Sequence, residues 1–200
     1  MWLVSDPLVL GSRSAARRAM LQAAGVPVEL HPADLDERRV EADAPEGPPA
    51  AVAALLAHAK ASAVAAARPG RLVLGADQIL TVGTERFVKA VDRAAARAQL
   101  RKLSGRTHEL HSAIALMQDD TTLFEHVGTA RLTMRALSDR FIDLYLDAVG
   151  DSAVATVGAY QVEGLGIQLF ERVDGDYFTI LGLPLLEMLE FLRRRGCLLT

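Results

Sequence analysis

A carboxylate and a carboxamide stand side by side at Asp77-Gln78, just after the apolar run Leu72-Val73-Leu74 and the small pair Gly75-Ala76. The run reads as a buried strand that stops at a glycine, where the backbone can take an unusual conformation or let a ligand come close. A strand-end Asp making an ordinary turn hydrogen bond is the plain alternative. Other residues add to the picture. Ser12 and Ser14 precede a helical pattern whose first turns hold Arg17 and Arg18, where the macrodipole disfavours positive charge. A bound anion would resolve that conflict, and two solvated arginines would leave it standing. Asp34, Asp36 and Glu37 form an acidic segment, either solvated surface or an acid pair. Lys60 falls on or beside the buried stripe of a helix, snorkelling outward or reaching into a polar site. Lys89 comes back on the second strand of a hairpin, towards Asp77. Taken together these are parts for metal-assisted phosphoryl hydrolysis: carboxylates for Mg²⁺, cations for phosphate charge and a base for water. Rival catalytic classes lack their motifs, since the chain has no HExxH, no paired CxxC, no GxSxG and no kinase set.

The elements that must position these residues follow from periodicity and punctuation. Leu8 to Leu10 read as a strand, Ser14 as the cap of a helix through Met20, Leu21 and Ala24, and Gly25 as its end. Val26 to Leu30 make a second strand. A loop over residues 41 to 49 leads into an Ala-rich helix from Ala50 to Arg68, with Val52, Leu55, Leu56 and Ala59 as its buried stripe. Ile79 to Val82 and Arg86 to Lys89 form a hairpin around Gly83-Thr84. Asp92 caps a helix to Leu103, Thr107 to Met117 and Thr122 to Met134 form a long hairpin, and Ser138 caps a helix to Val149. A glycine-rich stretch from Val157 to Gly166 precedes a strand from Ile167 to Val173. Its Gly164-Leu165-Gly166 is no dinucleotide fingerprint, lacking the third glycine and the helix. Pro184 opens a last amphipathic helix to Arg195.

Composition bounds the class. The chain has 200 residues, half of them apolar, and a formal net charge of -3 with both signs interspersed. That is enough for one large domain or two small lobes, with no broad basic face for nucleic acid or anionic membrane. No apolar run reads as long enough to span a membrane, and no basic leader precedes an apolar core, so a cytoplasmic protein is expected. The single Cys197 excludes an internal disulfide and reads as a buried or idle thiol.

In order and spacing the chain resembles the Maf-like nucleotide pyrophosphatases from about Leu8 to Arg195. The landmarks are Gly11-Ser12-Arg13-Ser14-Ala15-Ala16-Arg17-Arg18, Asp36-Glu37, Ala59-Lys60-Ala61 and Gly75-Ala76-Asp77-Gln78. Further on come Leu103-Ser104-Gly105-Arg106-Thr107-His108, Gly158-Ala159-Tyr160 through Gly166, and Gly175-Asp176-Tyr177 with Gly182-Leu183-Pro184. The chain departs from the family pattern at Ala15, where proline is usual, and at Val88 and Ala90, which flank Lys89 in place of glycine and proline. The resemblance implies one Maf-like domain over 1–200, α/β in class, with a twisted mixed sheet, flanking helices and two lobes around a central cleft, as in inosine triphosphate pyrophosphatase. It implies a homodimer, a divalent cation (Mg²⁺ or Mn²⁺) and hydrolysis of a nucleoside triphosphate to the monophosphate and pyrophosphate. By position, Asp77 would take the proton of the attacking water and share the metal with Glu37, while Ser12, Arg17, Lys60 and Lys89 would hold phosphates. The family is also linked with septum formation and growth arrest, which keeps a nucleotide-binding regulator with little turnover as the second reading.

Within that resemblance, the residue after Asp77 and the one before the Gly-Leu-Gly turn help choose the base. Members acting on dTTP and UTP carry Thr and Gln there, and those acting on 7-methyl-GTP carry Gln and Glu, as this chain does with Gln78 and Glu163. An ionised Glu163 offers only acceptors, which suits the adjacent N1-H and N2-H donors of guanine better than the single donor of uracil or thymine. Pairing of Glu163 with a nearby arginine is the plain alternative. Ala16 stands where the 7-methyl-GTP members carry a large aromatic residue, so a stacking surface is missing.

Overall fold

A computed structural model describes residues 1–43 and 47–199. The chain divides into two compact units, the first made of Met1–Gln78, Ser112–Gly128 and Asp176–Thr200, the second of Ile79–His111 and Thr129–Gly175.

In the first unit β1 (Leu8–Leu10) pairs in parallel with β2 (Val28–Leu30), Val9 opposite Glu29, and with β3 (Leu72–Val82), Leu10 opposite Leu74. Parallel neighbours need crossovers, supplied by α1 (Ala15–Ala23) between β1 and β2, and by α2 (Glu37–Ala42) and α3 (Pro49–Ala67) between β2 and β3. Every residue of β1 is buried, which is why it reads Leu-Val-Leu without alternation. The apolar core joins Leu8 and Leu10 to Met20 and Leu21 of α1, to Leu74, and to Leu185, Met188 and Leu192 of α8 (Leu185–Arg194). The lone Cys197 is buried in it, and burial pushes its thiol pKa up, which suits an inert side chain.

The second unit carries β4 (Glu85–Phe87), antiparallel to the end of β3 with Leu80 opposite Phe87. It also holds α4 (Arg93–Leu103), the first residues of β5 (Thr107–Gln118), the last of β6 (Thr121–Met134), α5 (Asp139–Val149), α6 (Ser152–Ala155) and β7 (Phe170–Asp174). β6 and β7 run antiparallel, Leu132 opposite Val173. The strand order is β2-β1-β3-β5-β6-β7, with β4 on β3, a mixed sheet in an α/β chain as expected. A buried pair organises this unit's core: His108 Nε2 and the Tyr160 hydroxyl are 2.7 Å apart, with Phe170 against both rings. Burial lowers the His108 pKa from 6.5 to about 4.

Several expectations change. β3 does not stop at Gly75; it runs eleven residues through Asp77 to Val82. The loop expected over 41–49 starts later, because α2 takes Glu41 and Ala42, and its residues 44–46 lie outside the described residues. The buried stripe of α3 is Ala53, Leu56, Ala57, Ala61, Val64 and Ala65, so of the expected stripe only Leu56 is buried. Alanine was chosen there for closeness rather than bulk, as the site below shows. At 19 residues, α3 also meets by length and composition the test for a membrane span, contrary to expectation. Ala57 and Ala61 of this helix lie against Gly75 of β3. The strand expected over 167–173 begins only at Phe170, because 165–169 turn as a 3-10 helix. Residues 177–180 form the short helix α7 (Tyr177–Ile180) capped by Asp176.

Candidate active site

Gly75 decides how close α3 comes to β3. A β-carbon there would stand 2.5 Å from the Ala61 nitrogen and 2.8 Å from the Ala61 β-carbon, and closer still to the Ala57 carbonyl. The glycine therefore admits a helix rather than a ligand. Alternate residues of a strand share a face, so Asp77 lies on the side of β3 that α3 covers. Lys60, between Ala57 and Ala61 in sequence, then reaches it: Nζ donates to Asp77 Oδ1 at 2.6 Å. The same nitrogen is 2.9 Å from Glu37 Oε1. Glu37 is in place because Asp36 caps α2, its carboxylate accepting from the Arg38 and Arg39 amides at 3.1 and 3.2 Å. Asp36 is thus a cap, and Glu37, its side chain half-exposed, is the acid of that segment that reaches Lys60. Asp77 sits mid-strand and is bonded to lysine, so the turn reading falls.

Asp77 is only 8% exposed. Desolvation raises its pKa above the usual carboxylate value, and Glu37 adds to this, while Lys60 and Arg17 pull it down.

Arg17 lies in the first turn of α1, as expected, but it is buried and its guanidinium is already engaged. Nε donates to the Gly182 carbonyl at 2.8 Å, and Nη1 to the Ala76 carbonyl at 2.9 Å and Ser12 Oγ at 3.1 Å. Carbonyl oxygens, with the charges of Asp77 and Glu37 nearby, thus relieve the conflict with the helix dipole that seemed to call for an external anion. Desolvation lowers its pKa and those two carboxylates oppose the shift. Ser12 Oγ also accepts from the Ser14 amide at 3.2 Å, and Ser14 caps α1. Ala16 is half-buried in the same turn.

Gln78 faces the other way. Its Nε2 donates to Ser112 Oγ at 2.9 Å, the Ile180 carbonyl at 3.0 Å and the Thr179 carbonyl at 3.3 Å, which leaves Oε1 as its available polar atom. Ser112 and the 179–182 segment are the functional neighbours that sequence reasoning missed. Ser112 belongs to no motif, whereas Gly182-Leu183-Pro184 is one of the landmarks of the sequence.

The first unit therefore assembles Ser12, Arg17, Glu37, Lys60, Asp77 and Gln78. Lys89 and Glu163 belong to the second. Lys89 is exposed two residues past β4, not on the returning strand, and Glu163 is exposed on a turn closed by a bond from the Gly164 amide to the Gln161 carbonyl at 3.2 Å. Gly166 packs against the Gln161 backbone, where a β-carbon would stand 2.7 Å from its nitrogen. Among the described residues Glu163 makes no ion pair, and no group of three or more His, Cys, Asp or Glu could hold a metal ion. Glu37 and Asp77 nonetheless fit a hard divalent cation: they are oxygen donors whose shared space already holds a positive charge, and Mg²⁺ keeps several waters when two carboxylates bind it.

The family model for Maf-like protein matches residues 7–195. The chain belongs to the Maf family. A "Nucleoside triphosphate pyrophosphatase" of Rhodopseudomonas palustris is 54% identical over 198 residues, covering 99% of this chain and 98% of that protein. A "7-methyl-GTP pyrophosphatase" of Brucella abortus is 53% identical over 193 residues, covering 96% of this chain and 97% of that protein. A solved HAM1 protein from Coxiella burnetii is a looser match, at 19% identity and TM-score 0.41 over 64% of this chain and 72% of that one.

Proposed function

We propose that this Maf-family chain hydrolyses nucleoside triphosphates to the monophosphate and pyrophosphate. The observation that carries the reading is the buried Asp77, raised in pKa and held with Glu37 around the Lys60 ammonium. A general base works best when its pKa approaches the operating pH, and burial moves Asp77 that way. Asp77 accepts the proton of a water that attacks the phosphoanhydride. Lys60 and Arg17, with Ser12, present positive charge and hydrogen-bond donors to the phosphates. Glu37 and Asp77 would hold Mg²⁺ or Mn²⁺, which supplies charge neutralisation on the phosphate oxygens when bound.

For the base, the relatives named "Nucleoside triphosphate pyrophosphatase" and "7-methyl-GTP pyrophosphatase" differ little in identity to this chain, at 54% and 53%. The substrate choice therefore rests on Gln78 and Glu163. With its amide nitrogen committed, Gln78 offers an acceptor, and Glu163, which makes no ion pair among the described residues, is an exposed acceptor at a turn. A carboxylate acceptor such as Glu163 favours a base edge rich in donors, as in guanine, and a positively charged 7-methylguanine gains further. The enzyme works as a single Maf-like domain, in a cytoplasmic homodimer.

The test is pyrophosphate release across 7-methyl-GTP, GTP, dTTP and UTP with Mg²⁺ or Mn²⁺. The expected result is faster turnover of 7-methyl-GTP, with Glu163→Gln shifting the ratio towards pyrimidines. A preference for dTTP and UTP refutes the base assignment, and tight nucleotide binding without turnover favours the regulator.

A further inference from the structure

One ammonium straddles the two carboxylates of the site: Lys60 Nζ is 2.6 Å from Asp77 Oδ1 and 2.9 Å from Glu37 Oε1. A dication held by the same oxygens would crowd that nitrogen, and like-charge repulsion beside a largely buried carboxylate is severe. Asp77 is fixed in the middle of β3, and Arg17 is tied to Ser12 and two carbonyls, so neither can give way. Lys60 can, since its head sits on a flexible four-carbon stem and can leave while α3 stays in place.

We propose that Lys60 is a resident counter-ion of the Glu37–Asp77 pair, displaced by the divalent metal, so that metal loading frees its ammonium to meet an incoming phosphate. This rests on the metal reading above. Without metal, Lys60 offsets the charge of a carboxylate that is nearly sealed from water; with metal, that duty passes to the dication. The lysine thereby couples the order of binding, metal first and phosphate second.

The sequence makes the test clean, because Lys60, Lys89 and Lys102 are the chain's only lysines. Trace acetylation of the wild-type chain, read by mass spectrometry, gives a rate for each. Adding Mg²⁺ or Mn²⁺ to chelator-treated protein is expected to speed Lys60 by about an order of magnitude relative to Lys102, which stays paired with Glu85. A Lys60 rate left unchanged or slowed by bound metal overturns displacement. Mn²⁺ affinity, read by electron paramagnetic resonance, is expected to tighten in Lys60→Met, and equal or weaker binding also overturns it. Failure of Mn²⁺ to bind either protein defeats both this inference and the metal reading. Pyrophosphate release by an enzyme whose Lys60 rate ignores metal defeats this inference alone.

Discussion

Asp77 and Arg17 are both charged, both buried and chemically opposite in what they leave free. Asp77 keeps one oxygen beyond its bond to Lys60, and its raised pKa makes it a better proton acceptor near neutrality. Asp77→Asn keeps the volume and removes the basicity, so pyrophosphate release should fall by orders of magnitude while the circular-dichroism melt stays cooperative; near wild-type turnover would remove Asp77 from the mechanism. Arg17 has a structural duty that the sequence did not show. The helix-dipole argument alone predicts that Arg17→Ala leaves stability unchanged or slightly improved. The structure predicts the reverse, because the carbonyls of Ala76 and Gly182 lose their donor in a buried place. Each unsatisfied acceptor costs about 1–3 kcal/mol, so urea unfolding of Arg17→Ala should show a loss of roughly that size or more. Weakened nucleotide binding alongside it would show both duties in one residue.

At the scale of elements, α3 depends on contact between backbones. Gly75→Ala puts a methyl group into the Ala57 and Ala61 positions of the helix, where backbone atoms cannot rotate away. The destabilisation should reach the upper end of the ~1–3 kcal/mol seen for overpacking. Activity should fall with it, since the spacing of α3 from β3 sets the reach of Lys60; a fully active and equally stable Gly75→Ala would contradict the packing account. The second unit is built on a different contact. Arg93, Arg97 and Arg101 of α4 meet Asp147, Asp143 and Asp139 of α5 in antiparallel order, with Arg97 Nε 2.6 Å from Asp143 Oδ1. Both stripes repeat every four residues, so their signal was present in the sequence, though not their pairing. Reversing one charge in Arg97→Glu should lower the melting temperature, and adding Asp143→Arg should recover part of the loss, with the recovery shrinking at high salt.

For the whole molecule, acid stability is the readable property. His108 has a folded pKa of about 4 against 6.5 for the free side chain. Between those values the unfolded chain binds more protons, so stability rises with pH from about 4 to 6.5 and is lost on acidification through that window, by ~3 kcal/mol from this group alone. Asp77, shifted upward, acts in the opposite sense. Urea titrations at several pH values should therefore show a flatter dependence in His108→Phe than in the wild type; an unaltered slope would rule His108 out as the cause. Much of the fold was legible because it is local. Ser14, Asp92 and Ser138 announced their helices as caps, period and turn residues marked the hairpins, and the ordered landmarks at Ser12, Glu37, Lys60 and Asp77 marked the family. Caps and periods are set by neighbours in the chain, so a sequence can carry them unaided. What only the tertiary structure decided was which partner each charge meets. Lys60 lies between Glu37 and Asp77 because Gly75 lets α3 approach, Arg17 is bound to carbonyls from residues 76 and 182, and Gln78 turns its amide to Ser112 and the 179–180 carbonyls. Those partners are distant in sequence, and a side chain's protonation, direction and remaining valence depend on the partner that packing supplies.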